Sequence, residues 1–185
     1  NRENLKSLKW HDHISLPNKE CPYFLATSNN RYYFLDRDLN EYPSGGFDSV
    51  LYYVKLDLSN QVELCKPSYL GQSRTLLDRN PWVLLHGKWG QYDWSNKSFY
   101  IQPQYTSNPV ILDSYSGRAL ILLERGGKYG IMENGSFILP IEYDCIEEIM
   151  CGIFACRKNG QTSLYSNCQR KFVISNLDAV ERVKM

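Results

Sequence analysis

The chain has 185 residues, 43% of them hydrophobic and 22% charged, with 21 Lys and Arg against 20 Asp and Glu for a net charge of +1. The balance holds along its length, with ten of each sign before Gly87 and eleven basic against ten acidic from there on. Neither part is a basic footprint for phosphate backbones, and no run approaches the roughly 18 apolar residues of a membrane span, so neither nucleic acid nor membrane is an expected partner.

A charged-then-apolar secretory leader is missing from the start. A cytoplasmic location is the expectation, with a leader removed ahead of Asn1 left open. The six cysteines, Cys21, Cys65, Cys145, Cys151, Cys156 and Cys168, include no C-x-x-C pair. They read as reduced thiols rather than a zinc site or a disulfide framework. Cys156, in Ile153-Phe154-Ala155-Cys156, reads as a small core residue.

Leu5, Leu8 and Trp10 stand among charges and fit a short helix or a leader strand equally, so residues 1–22 are taken as a capping segment ahead of a repeat domain at 23–185. Tyr23-Phe24-Leu25-Ala26-Thr27 predicts the first strand, Ser28-Asn29-Asn30 a turn, and Arg31-Tyr32-Tyr33-Phe34-Leu35-Asp36 the returning strand. Val54-Lys55-Leu56-Asp57-Leu58 and Gln61-Val62-Glu63-Leu64 flank Ser59-Asn60 and predict a further hairpin or a decayed repeat. Two apolar runs follow, Trp82-Val83-Leu84-Leu85 and Ala119-Leu120-Ile121-Leu122-Leu123, each leading into a glycine-containing turn.

After those turns the same pattern returns. Arg31-Tyr32-Tyr33-Phe34-Leu35-Asp36, Lys88-Trp89-Gly90-Gln91-Tyr92-Asp93 and Lys128-Tyr129-Gly130-Ile131-Met132-Glu133 each show a basic residue, an aromatic, a variable site, two mostly apolar residues and an acid. Phe47-Asp48 matches Tyr143-Asp144, and a degenerate last copy has Gly160-Gln161-Thr162-Ser163-Leu164 with Leu177-Asp178. Approximate units are 23–53, 54–81, 82–118, 119–152 and 153–185. With no sustained helical period after the leader, the fold class is all-β: antiparallel hairpin or three-stranded units stacked into one twisted sheet or a solenoid-like array, with a small closed propeller as the alternative.

The physical logic of one unit is simple. Glycine in the turn supplies positive φ without steric cost. The aromatic packs across its neighbouring strand, and the glycine after it admits a close backbone or ring from the next unit. Trp89 and Tyr129 are therefore expected to be scaffold, buried at equivalent positions.

Lys88-Trp89-Gly90 and Lys128-Tyr129-Gly130, followed by Ile138-Leu139-Pro140-Ile141-Glu142-Tyr143-Asp144, resemble the WG-repeat (KWG) family. The match is best over residues 87–105 and 127–144, although Thr106 replaces the expected acid. The resemblance implies a bacterial tandem β-repeat protein with a role in interactions, often beside toxin, surface or signalling modules. It supplies no catalytic residues to carry over.

Candidate functional residues lie where the copies disagree. Trp94, in the turn Asp93-Trp94-Ser95-Asn96-Lys97, is either an exposed interface anchor or a side chain folded back onto a neighbouring unit. Asn108 and Tyr115 belong to a stretch, residues 107–117, that lengthens one unit and so maps to a loop on a binding face. His11 and His13 would share a face if extended, and two ligands are too few for a metal site. His86 reads as a turn residue and is the lone histidine outside that cluster, so no triad is assembled. Glu147 and Glu148 would point to opposite faces of a strand, against a carboxylate dyad. The expected function is a non-enzymatic protein-interaction module without cofactors, such as an immunity or inhibitor protein against a toxin or effector. A carbohydrate or cell-wall binding module is the alternative, and a hydrolase with an unfamiliar site is the third reading.

Overall fold

The structure, a computed structural model, describes residues 11–15, 23–51, 54–55, 68–69, 80–112, 120–150 and 152–177. Those residues are all-β, without a helix. β1 (His13–Ser15), β2 (Phe24–Ser28), β3 (Arg31–Leu35) and β4 (Glu41–Phe47) make the first sheet, in that order. β5 (Ser49–Leu51) follows at once, and β6 (Val54–Lys55) pairs in parallel with β7 (Ser68–Tyr69). β8 (Trp82–Leu85), β9 (Lys88–Asp93) and β10 (Ser98–Tyr105) join β5 in a second sheet of order β10-β9-β8-β5. The third sheet is β11 (Val110–Leu112), β12 (Leu120–Arg125), β13 (Lys128–Glu133) and β14 (Ser136–Tyr143). The fourth is β15 (Cys145–Met150), β16 (Ile153–Lys158), β17 (Gln161–Ser166) and β18 (Lys171–Leu177).

All-β architecture, antiparallel pairing and a succession of repeated β units follow the sequence expectation: the described residues form four separate four-stranded antiparallel sheets, none closed into a barrel, beside the two-stranded β6-β7 pair. The strand additional to a three-stranded unit is the one that opens each sheet, three residues long in the first three sheets and six in the fourth. It places β1 inside the first sheet, where a capping segment ended at residue 22 is the sequence expectation. Of the hairpin expected at 54–64, Val54 and Lys55 pair with Ser68 and Tyr69 instead, and the turn Ser59-Asn60 lies outside the described residues.

One hydrogen bond fixes how each opening strand enters. The amide of Asp12 donates to the Thr27 carbonyl, Asp48 to Leu84, Thr106 to Glu124 and Asp144 to Arg157. In every sheet the acceptor lies one residue before the final strand position preceding the central turn. Those turns are Asn29-Asn30, His86-Gly87, Gly126-Gly127 and Asn159-Gly160, and both residues of each have positive φ. That is the two-residue hairpin geometry whose twist matches the strands. Asn29, Asn30, His86 and Asn159 thus share with glycine the positive-φ positions of these turns.

The close approach of Gly90 and Gly130 is internal to one sheet. A Cβ on Gly90 would lie 2.6 Å from the Ile101 carbonyl oxygen and one on Gly130 2.8 Å from that of Leu139, on the adjacent last strand. The last strand is bulged at that point: Tyr129 pairs with Tyr143 and Ile131 with Leu139, so three residues face one. In the first sheet Tyr33 occupies the glycine position and the accommodation moves to the opposite strand, where Gly46 has a φ of 65° and lies under the Tyr33 ring.

The described chain falls into two compact units that meet in sequence between Pro103 and Gln104. In the first, Tyr23, Leu25, Phe34 and Phe47 of the first sheet pack with Val50, Val83, Tyr92 and Trp94 of the second. In the other, Leu120, Ile131, Leu139 and Tyr143 of the third sheet pack with Ile146, Phe154, Cys156 and Tyr165 of the fourth. Strand register matches the two cores position by position: Phe34 with Ile131, Phe47 with Tyr143, Val50 with Ile146, Val83 with Cys156, Tyr92 with Tyr165. Trp89 is buried, as expected, whereas Tyr129 at the matching position is only partly covered.

Candidate functional site

Trp94 is not an exposed anchor. Asp93 accepts the amides of Ser95 and Asn96 and the Asn96 side-chain amide, while the Lys97 amide donates to the Trp94 carbonyl. This tight turn directs the indole inward, where it lies 5.0 Å from the Tyr23 ring and 6.0 Å, edge-on, from Phe34 and Tyr42. Its exposure is 7%. The matching position in the second unit is Asn167, also buried, so this turn position is a core position in both.

Asn108 is exposed in the link between β10 and β11, beside a buried Pro109. Residues 110–112 form β11, so part of the stretch read as a loop is the opening strand of the third sheet. Tyr115 lies outside the described residues. The three sequence candidates are therefore not brought together: one is core and one is surface.

His11 takes the slot that Phe47 and Tyr143 fill, one residue before the acid that opens a sheet. Its side chain is 7% exposed, with Nε2 3.5 Å from a Glu41 carboxylate oxygen and the ring 6.1 Å from that of Tyr33. His13 is exposed, so the two do not act as a pair. His86 is an exposed turn residue with a φ of 51°. Cys156 is buried, and burial pushes its thiol up to about 12, whereas Cys168 is exposed. Glu148 accepts the Gly152 amide across its hairpin while Glu147 points to solvent.

The charged residues of the recurring pattern serve as joints. Asp144 accepts the Lys128 ammonium on one carboxylate oxygen and the Asn159 amide on the other, tying the third sheet to the central turn of the fourth. The Lys128 ammonium, then the Asn159 amide, hold its carboxyl below the usual value. Arg31 donates to Asp48 and to the carbonyls of Gly45 and Gly46. Asp12 accepts the Asn29 amide as Asp144 accepts that of Asn159. Where Thr106 replaces the acid, Glu124 substitutes: it accepts the Thr106 hydroxyl and the Gly127 amide, and the first of these depresses its carboxyl most.

A second ion pair crosses between sheets in each unit. Lys97 Nζ lies 3.6 Å from Asp36 and Arg170 Nη2 2.6 Å from Glu133. Lys97 and Arg170 hold matching turn positions, with φ of 52° and 54°. Lys97 also sits 3.7 Å over the Tyr42 ring.

What the sequence reading missed is β18. Phe172, Val173 and Ile174 are 39%, 41% and 46% exposed, three consecutive large apolar residues on an edge strand. The signal was available. The other last strands carry Pro43, Pro103 and Pro140, and proline blunts a sheet edge against further pairing. β18 has none. No protein-family model matches the chain, and no curated protein matches it either.

Proposed function

We propose that the protein is a non-enzymatic protein-interaction module whose contact region centres on β18. The observation that carries this reading is the unblunted edge with Phe172, Val173 and Ile174 exposed on both of its faces. An edge strand offers unpaired backbone groups to an incoming chain, and exposed apolar side chains add the area that stabilises such pairing. The joints described above also account for most acids and bases of the recurring pattern as scaffold. The WG-repeat resemblance supports the same reading, because that family is associated with interactions. A toxin or effector bound by an immunity or inhibitor protein is the narrower form of it.

The test is a pull-down from the native host with the natural chain and with a Phe172→Ser, Ile174→Ser double variant, run beside a glycan array. Specific recovery of a protein by the natural chain and its loss in the variant support the reading. Glycan binding without a protein partner overturns it.

A further inference from the structure

The third and fourth sheets share a strand register but differ in what lies over one face. In the third sheet Leu120, Ile131, Leu139 and Tyr143 form a stripe across three strands, each less than a tenth exposed because Ile146, Phe154, Cys156 and Tyr165 of the fourth sheet lie on it. The first sheet is covered likewise, Phe34 and Phe47 being packed against Val50, Val83 and Tyr92 of the second. In the fourth sheet the matching positions are Ile153, Leu164, Ile174 and Leu177, with Ala155 opposite Leu164. This stripe is as apolar as the others. Yet Ile174, where Leu139 is 1% exposed, is 46% exposed, and Ile153, Ala155, Leu164 and Leu177 are only partly covered.

We propose that this face of the fourth sheet is the docking surface for a further four-stranded sheet of the same pattern. The proposal goes beyond the interaction-module reading, which centres on the edge of β18, by naming what covers this face. Two observations select that occupant. The same stripe is covered by such a sheet in both units. And the sequence that follows β18 repeats the opening of those covering sheets: Leu177-Asp178-Ala179-Val180 matches Tyr143-Asp144-Cys145-Ile146 and Phe47-Asp48-Ser49-Val50. Val50 and Ile146 are the opening-strand residues that enter the two cores. Glu181 and Val183 continue the match to Glu147 and Ile149, whereas Arg182 stands where Glu148 does. Gln161 stands where Lys128 and Arg31 bind the corresponding acid.

The experiment compares the 185-residue chain with one in which a second copy of residues 150–177 follows Val183, so that residues 178–183 precede the copy as residues 144–149 precede the original. Amide exchange in β17 and β18 is expected to slow about tenfold or more in the extended chain, since covering a sheet face suppresses local opening. Ile174→Lys should cancel that protection. In the unextended chain the open face should bind bis-ANS, and Ile174→Lys should cut the signal roughly threefold by removing the apolar patch. Unchanged exchange on extension, or dye binding indifferent to Ile174→Lys, overturns the proposal. So does concentration-dependent dimerisation of the unextended chain that Ile174→Lys abolishes, which would make a second copy the occupant. A host partner recovered equally by both chains, with exchange unchanged, overturns this proposal and leaves the interaction reading standing. Slowed exchange without any host protein partner does the reverse.

Discussion

Arg170 Nη2 meets Glu133 Oε2 at 2.6 Å, and the two side chains are unequally placed: the arginine is 41% exposed and the glutamate 7%. The carboxylate cannot recover the lost interaction from water when the guanidinium is removed. Arg170→Ala is therefore expected to cost about 1–3 kcal/mol, the range for leaving a buried polar group less satisfied. Glu133→Gln should cost less, and the double variant less than the sum. Lys97→Ala, at the matching position over the more exposed Asp36, should have the smaller effect, because exposed pairs are screened. Urea unfolding of the four variants checks the ranking.

Gly90→Ala and Gly130→Ala place a methyl group against backbone, which cannot yield as a side-chain tip can. A loss of about 1–3 kcal/mol is expected from such overpacking. Gly127→Ala meets open space and opposes only its positive φ of 76°, so it should cost about 1 kcal/mol. Equal losses at the three sites by chemical denaturation would contradict the close-approach account.

Trp94→Ala removes a large ring from an aromatic core and should cost about 3–5 kcal/mol. Asn108→Ala, on the surface, should stay within about 0.5 kcal/mol. If Trp94→Phe, which keeps part of the packing, lost partner binding while remaining folded, Trp94 would have a role beyond the core. Thermal unfolding and the pull-down together separate the two.

Acid and alkali should weaken the fold for different reasons. Asp144, Asp36 and Glu124 have carboxyls held below their usual values of 3.8, 3.8 and 4.5, through the Lys128 ammonium, the Asn40 side chain and the Thr106 hydroxyl in turn. Their stabilisation is present above those usual values and is lost as pH falls through the lowered ones. Asp144→Asn should flatten the decline below pH 4. On the other side, burial raises Cys156, usually 9.0, and Tyr92 and Tyr143, usually 10.0, to about 12 each. Their contribution is full below the usual values and disappears as pH rises through about 12. Cys156→Ala should delay the alkaline onset from about pH 9 toward 10, read from urea midpoints across the range.

The hairpins were legible because their signals are local. Arg125-Gly126-Gly127-Lys128 carries its own turn chemistry, and the apolar runs on either side set the register without help from elsewhere. The opening strands of the first three sheets were not legible, since three residues such as Ser49–Leu51 have no period and gain their identity only by pairing with β8. His11 escaped notice in an aromatic slot because histidine there looks like a ligand, not a replacement for Phe or Tyr. Trp94 could be assigned to a turn from sequence, but its burial is decided by Tyr23 and Phe34, about 60 to 70 residues away. The exposed face of the fourth sheet was invisible for a related reason: its stripe reads like a core in sequence, and only the structure shows Ile174 exposed and its neighbours partly covered among the described residues.

The link between the first and second strands of the second sheet has a consequence for the order of assembly. Thirty residues separate Leu51 from Trp82, whereas two separate Met150 from Ile153 in the fourth sheet. Closing the longer loop costs roughly 2 kcal/mol more chain entropy on the logarithmic scaling of loop closure. The fourth sheet can therefore form from near neighbours early, and β5 reaches β8 late. Refolding followed by amide labelling should find protection at Ile146 before Val50, although the two residues occupy the same place in their cores.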